Sequence, residues 1–494
     1  MIERTLYRKV LTTTFVLLGA ALLCRMSNGY FSIAMVCAGI YWAATRQYGK
    51  ALSCYGYFPF LAVVNPYIVP KPSIMGMSLR IGPLLIGMVL FLVAMNREGR
   101  HRLPLGTLFA YLLCVSISSS TGWSPKVSYF KLINFVFFVL GFWIGTQNLQ
   151  NHPKELEFVR VFILSMALIT VAGSLCTLPF PGIAYPLDLQ MASVFRKEGL
   201  EGATAYFQSQ GGGMTLFAGI TFHSQTLGPL LSCLFTLVLA DMIFIERRMT
   251  FLHISLLGTI PVLLFMTRSR TALLSFAVGS VLILTYAASH VSVSPNFRRR
   301  INQLVKIGVF ALIALAAVAE VSNRSVTRWI RKTDEVSSDN RSLAEAVTST
   351  RLGLIDMGLD EFKRNPVFGM GFQVNFESQI LYGNKEWLIL SAPVEKGLLP
   401  IVVLGEGGIV GSIVFLIFLI SFYLTCLRRK YVITIAAFTT FIATNFGEAT
   451  FFSPGGGGGI EWFLTAVGGF CMDTILLYWK RLDVQLAMAE YSRR

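Results

Sequence analysis

The sequence predicts an all-α polytopic membrane protein, a bundle of about 12–14 spans with a large, partly helical loop on its outer side. Three observations predict it. The chain has 494 residues, 54% hydrophobic and only 14% charged, with a mean hydropathy of +0.62; soluble domains carry roughly 25% charge to wet their surfaces. Apolar stretches of about span length recur at near-even spacing along the chain. The basic residues gather in short clusters between those stretches, as they do in loops retained on the cytoplasmic side. A net charge of +16 would suggest nucleic acid in a soluble protein, but this placement excludes that partner.

The elements follow in order. Met1–Cys24 has Arg4, Arg8 and Lys9 before an apolar stretch, like a signal peptide. No small-x-small cleavage site follows, so it reads as an uncleaved first span, Val10–Cys24. The next spans are Tyr30–Ala44, Leu52–Val69, Ser78–Met95, Pro104–Ser120, Phe130–Gln147 and Phe158–Leu178. After a long loop come Leu227–Ile245, Phe251–Met266, Thr271–Ser289 and Leu304–Val321, and after a second one Leu398–Cys426, Tyr431–Phe446 and Ile460–Trp479. Alternating the loops between sides puts most basic clusters on one side, with both termini, and that side is expected to be cytoplasmic. The whole chain, 1–494, is read as one membrane domain.

Two long loops then fall outside, 179–226 and 322–397, and long outer loops usually carry function. In the second, Leu352, Ile355, Leu359 and Phe362 share one helical face. Asn365-Pro366 ends that helix, and Gly369-Met370-Gly371 allows a tight turn. The expectation is a helix across the outer mouth of the bundle. Gly455–Gly459 reads as a flexible outer hairpin between the last two spans. The eight cysteines lie in or at the ends of apolar runs, and no pair has metal-ligand spacing. No disulfide, zinc or other metal is expected.

Ionisable residues are costly in lipid, so their positions inform. On this topology Arg80, Lys126, Lys131, His223, Arg268, Arg270, Arg351, Glu395, Lys396, Glu406, Glu448 and Glu461 lie near the outer leaflet, and the membrane middle is almost free of charge. Transport would call for polar groups through the core. Arginines suit a diphosphate through bidentate hydrogen bonds, and a nearby carboxylate or histidine can take a proton from a hydroxyl. Each residue also has a plainer reading: Arg268 and Arg270 as snorkelling span ends, His223 as an interfacial residue, Glu406 as a cap.

The order of motifs resembles the O-antigen ligase and polysaccharide polymerase superfamily of bacterial inner-membrane glycosyltransferases. Gly219-Ile220-Thr221-Phe222-His223-Ser224-Gln225-Thr226-Leu227-Gly228 resembles the family's His-x-Asn/Gln-x-Leu-Gly segment, and Thr267-Arg268-Ser269-Arg270-Thr271-Ala272 its Ser-Arg-Thr-Ala element. Ser349-Thr350-Arg351, the helix to Phe362 and Pro366-Val367-Phe368-Gly369-Met370-Gly371 are similar to the large-loop pattern. Glu406-Gly407-Gly408-Ile409-Val410-Gly411 is similar to the Glu-x-Gly-x-x-Gly opening of the next span. The family's usual large-loop histidine is missing, and Pro393-Val394-Glu395-Lys396-Gly397 stands there.

The resemblance implies transfer of a glycan from an undecaprenyl-diphosphate carrier to an acceptor hydroxyl at the periplasmic face, with inversion and with neither cofactor nor metal. The implied partners are the lipid-linked donor, a glycan or glycolipid acceptor, membrane lipids and other polysaccharide-assembly proteins. Diphosphate binding then falls to Arg268, Arg270 and Arg351, with Arg80 in addition. Glu395, beside Lys396, and His223 are the base candidates, and Glu406 supports an arginine. A flippase for lipid-linked glycan and a non-catalytic scaffold are the competing classes.

Overall fold

The computed structural model describes residues 2–94, 104–122, 124–149, 152–184, 217–290, 355–374, 397–447 and 449–479. These are helical apart from turns, short connections and one isolated antiparallel bridge, Val64 to Thr221. The helices are α1 (Ile2–Met26), α2 (Phe31–Ala44), α3 (Tyr48–Val63), α4 (Ser73–Ala94), α5 (Gly106–Thr121), α6 (Pro125–Leu149) and α7 (Pro153–Thr177). Then follow α8 (Ser224–Ala240), α9 (Phe251–Thr267), α10 (Arg270–His290), α11 (355–364), α12 (Leu399–Arg429), α13 (Val432–Thr444) and α14 (Gly456–Trp462). A π-helical segment extends α8 over Asp241–Glu246, and another carries α14 through Phe463–Gly469 towards Trp479. Eight helices among the described residues are long and apolar enough to cross a membrane. Every expected span has its helix except Leu304–Val321, which lies outside the described residues.

Short connections make successive helices antiparallel, so their ends gather at two faces of the bundle. Burial sorts them radially. The span from Ser224 to Glu246 is 94% buried and that from Gly456 to Trp479 is 89% buried, while Leu399–Arg429 is only 28% buried. The former are the core, and the latter turns leucines and isoleucines outward where a soluble protein would carry charge. α3 is buried along its whole length, with Tyr48, Tyr55, Phe58 and Phe60 packed in the centre. Small residues let core helices approach closely. A Cβ on Gly279 of α10 would lie 2.4 Å from Thr236 Oγ1 of α8 and 2.2 Å from Thr440 Oγ1 of α13.

Two local expectations are corrected. The span expected over Leu52–Val69 stops helically at Val63, because the chain turns there to pair with another segment: Phe222 N–H donates to Val63 O at 3.0 Å and Asn65 N–H to Ile220 O at 2.8 Å. Gly455–Gly459 is not a hairpin but the entry into α14. A Cβ at Gly458 would lie 2.1 Å from Thr450 O and one at Gly459 2.2 Å from Pro454 O, so these glycines serve close packing.

A buried ionic cluster closes the bundle at one end. Arg160 of α7 makes a bidentate contact with Asp241, Nε–Oδ1 2.6 Å and Nη2–Oδ2 3.0 Å, and reaches Glu246 at 2.9 Å. His253 Nε2 lies 2.9 Å from Asp241 Oδ2, and Thr250 Oγ1 lies 2.6 Å from His253 Nδ1. At the same end of the bundle, the carboxylate of Asp473 accepts from Ile433 N–H at 3.0 Å and from Thr434 N–H at 2.8 Å. It caps α13 from a different helix, where Tyr431 supplies no side-chain cap.

Candidate functional site

Of the residues singled out in the sequence, His223, Arg268, Arg270 and Glu406 lie at the opposite end from that cluster. His223 is the N-cap of α8, and its Nδ1 accepts from Gln225 N–H at 3.0 Å. A ring nitrogen that accepts this bond carries no proton, so the neutral imidazole holds its proton on Nε2. In this arrangement His223 offers a donor rather than a basic lone pair. The segment before it is fixed by α3. The Val64–Thr221 bridge, the two backbone bonds already given and Asn65 Nδ2 donating to Ile183 O at 3.1 Å tie the end of α3 to Gly219–His223.

Lys71 adjoins this segment. It sits on the connection between α3 and α4, outside both spans, with its ammonium 5.3 Å from the centre of the Phe222 ring. It also donates to Ala62 O. Burial lowers its pKa to about 8.

Arg268 and Arg270 occupy the turn from α9 to α10. Arg268 takes a left-handed conformation, φ 52°, at the C-cap of α9, and Ser269 N–H donates to Thr267 Oγ1 at 3.3 Å. That left-handed residue reverses the chain in two positions and puts both guanidinium groups at the same end of the bundle. The turn packs directly on α8, since a Cβ at Gly228 would lie 2.9 Å from the Cβ atoms of Ser269 and Ala272.

Glu406 lies fully buried in α12, two residues before a break. Gly408 has φ 61° and ψ −159°, a region open essentially to glycine alone. The break frees backbone groups that the turn after α11 takes up. Ile409 N–H donates to Pro366 O at 2.9 Å and Val410 N–H to Val367 O at 3.2 Å. Met370 N–H donates to Gly405 O at 2.9 Å and Gly371 N–H to Glu406 O at 3.2 Å. Glu406 Oε1 then accepts from Gln373 N–H at 3.0 Å.

The other side of the turn rests on α5 and α6. Phe372 N–H donates to Ser128 Oγ at 2.7 Å and Ser119 Oγ at 3.2 Å, and those hydroxyls lie 2.6 Å apart. Ser118 Oγ donates to Glu406 O at 3.0 Å, and Lys131 Nζ to Gln373 O at 3.0 Å. Gln373 Nε2 donates to Phe452 O. The 445–454 connection completes the ring. Leu399 N–H donates to Asn445 O at 3.0 Å, and a Cβ at Gly447 would lie 2.0 Å from Thr271 Cγ2.

His223, Arg268, Arg270 and Glu406 are thus carried by contiguous elements. Arg80 is exposed on α4, which packs on α2, α3 and α6, away from α8–α10. Arg351, Glu395 and Lys396 lie outside the described residues. Sequence reasoning did not single out Lys71, Ser118, Ser119 or Gln373 as site residues, and it placed Lys131 only near the outer leaflet; Ser128 to Leu132 resembles the family weakly. The signal for Ser118 and Ser119 is a polar run at the end of a span, Ser116–Ser120 without Ile117, in an otherwise apolar stretch. Among the described residues no group of three or more His, Cys, Asp or Glu is placed to hold a metal ion.

Residues 255–416 match the family model described as O-antigen ligase. The matched stretch contains the Arg268–Arg270 turn, α11 and the break at Gly408. No curated protein matches the chain.

Proposed function

We propose, from the premise that residues 255–416 carry an O-antigen ligase domain, that this protein transfers a glycan from an undecaprenyl-diphosphate carrier to an acceptor hydroxyl. The reaction takes place at the periplasmic face of a bacterial inner membrane, with both termini in the cytoplasm. The observation that carries the reading is the gathering of Arg268, Arg270, His223 and Glu406 at one end of the bundle, within and beside the matched segment.

In this reading the acceptor oxygen attacks the anomeric carbon and inverts it. The bond from that carbon to the diphosphate breaks, and the carrier diphosphate leaves with the bonding electrons. Arg268, Arg270 and Arg351 hold its oxygens, and their guanidinium groups favour the charge that develops as it departs. Arg80, from its separate position, meets the carrier at the lipid boundary. Glu395 takes the acceptor proton, with Lys396 beside it. His223 follows the tautomer its cap imposes and donates from Nε2 to a substrate oxygen. Glu406 holds Gln373, and so fixes the turn that leads into the segment bearing Glu395.

The test is glycan profiling in a deletion strain of the native host, complemented with wild type, Arg270→Lys or Glu395→Gln at matched protein levels. Loss of polymer with carrier-linked glycan accumulating at the periplasmic face is the expected result for the deletion and both variants. Single carrier-linked repeat units indicate a polymerase, and long carrier-linked chains a ligase. Intermediates that accumulate facing the cytoplasm indicate a flippase and refute the proposal. Full activity of Arg270→Lys removes the bidentate role of that residue.

A further inference from the structure

We infer that Lys71 binds an anionic oxygen of the carrier diphosphate from the Phe222–His223 side of the site, opposite in kind to the arginine turn. The inference rests on the functional reading above and adds to it a residue outside the matched segment.

The side chain is anchored rather than free to sweep through solvent. Its ammonium donates to Ala62 O and lies over the Phe222 ring, 5.3 Å from its centre. The connection that carries it is itself held. Asn65 Oδ1 accepts from Tyr67 N–H at 2.9 Å, and Arg25 Nη1 donates to Tyr67 O at 3.0 Å and Ile68 O at 2.7 Å. Arg25 thereby spends its charge on carbonyl groups. An ammonium has three donors, and here one goes to a carbonyl and the ring takes only the electrostatic attraction.

Among the described residues, the charged and titratable groups around it include no carboxylate paired with it. Tyr67 lies on the same connection, Arg25 reaches that connection from the end of α1, and His223 lies beyond Phe222. Glu461, on α14 against α3, accepts from Thr450 Oγ1 at 3.3 Å. Burial sets the lowered pKa of about 8. A half-buried cation without a counter-charge is costly, and a bound anion removes that cost. The nearest element of the site is His223, one residue along from the ring that Lys71 covers.

The sign of the pH dependence follows. Below about 8 the amine is protonated and attracts the anion. As pH rises through that value the proton is lost, and with it the attraction. Arginine stays charged throughout this range.

The experiment measures equilibrium binding of undecaprenyl diphosphate to the full-length protein in nanodiscs of neutral lipid at pH 7 and pH 9.5. Undecaprenol and inorganic pyrophosphate serve as comparison probes. Wild-type affinity is expected to fall about ten-fold between the two pH values, the worth of one charge-assisted hydrogen bond. Lys71→Met is expected to bind about ten-fold more weakly at pH 7 and to lose the pH dependence. Lys71→Arg is expected to keep its pH 7 affinity at pH 9.5. Pyrophosphate binding with the same pattern places the contact on the diphosphate alone, whereas a pattern confined to the lipid form requires the carrier as well.

Wild-type affinity and pH profile in Lys71→Met, with a lowered melting temperature, would mean that Lys71 only caps α3, and the inference falls while the functional reading stands. If Lys71→Met does not fold, superimposable pH profiles for wild type and Lys71→Arg overturn the inference equally. A wild type that does not prefer the diphosphate carrier to undecaprenol at either pH overturns the functional reading itself.

Discussion

Replacing Gly408 by alanine tests how the broken helix holds the turn after α11. At φ 61° and ψ −159° the residue sits where an L side chain is strained, at a cost of roughly 1–3 kcal/mol. The added Cβ would also lie 2.4 Å from Val367 O and 2.7 Å from Gly369 N, both backbone atoms with little room to yield. Relief requires the turn to lift, which breaks the bonds from Ile409 N–H to Pro366 O and from Val410 N–H to Val367 O. Each contributes about 1 kcal/mol. The docked turn is therefore weakened by about 3–5 kcal/mol, or roughly two to four decades in its opening equilibrium.

Hydrogen–deuterium exchange of the amides from Met370 to Gln373 reads this directly, because all four are bonded to Gly405, Glu406, Ser119 or Ser128 in the docked state. Exchange there should accelerate while amides in the core of α8 remain protected. Gly106→Ala, where a Cβ meets nothing within 4 Å, is the matched control and should change nothing in this segment. Wild-type protection from Met370 to Gln373 in Gly408→Ala would refute the latch, and with it the role given to Glu406.

Three further perturbations follow. Asp241→Ala leaves Arg160 and His253 buried without their shared carboxylate and should destabilise the protein by about 3–5 kcal/mol; thermal unfolding should also find Arg160→Met with Asp241→Leu less damaged than Asp241→Ala alone. Asp473→Ala removes the cap of α13 and should cost about 1–2 kcal/mol by the same measurement, with Asp473→Asn intermediate. A Ser119→Ala, Ser128→Ala double variant leaves Phe372 N–H without its two hydroxyl acceptors, and should raise exchange at that amide by about ten-fold or more without unfolding α5 or α6.

The spans within the described residues were legible because hydropathy depends on local composition alone. The turn after α11 was legible too, since Asn365-Pro366 and two glycines constrain the backbone locally. What the sequence hides is pairing at a distance. Nothing near Val64 announces that Thr221 will lie beside it, so the apolar residues from Val64 to Val69 read as helix. Five consecutive glycine positions from Gly455 read as slack, although Gly458 and Gly459 are held by carbonyls of the preceding loop. Arg160 and Asp241 each appear as one charge in an expected span. Their opposite signs were the available signal, and only the packing of α7 on α8 pairs them. At the candidate site, residue types pointed to arginine, histidine and glutamate, but the tautomer of His223 is set by a backbone bond that no motif specifies.

The most direct test of the central claim is made with purified protein in proteoliposomes, given a carrier-linked glycan donor and its acceptor on the face that bears His223. The amount of undecaprenyl diphosphate released is compared with the amount of glycan joined to the acceptor. One undecaprenyl diphosphate is expected to be released per glycan transferred, with both lost in Arg270→Lys and Glu395→Gln. Movement of the intact carrier-linked glycan across the bilayer, with no diphosphate released, would contradict it.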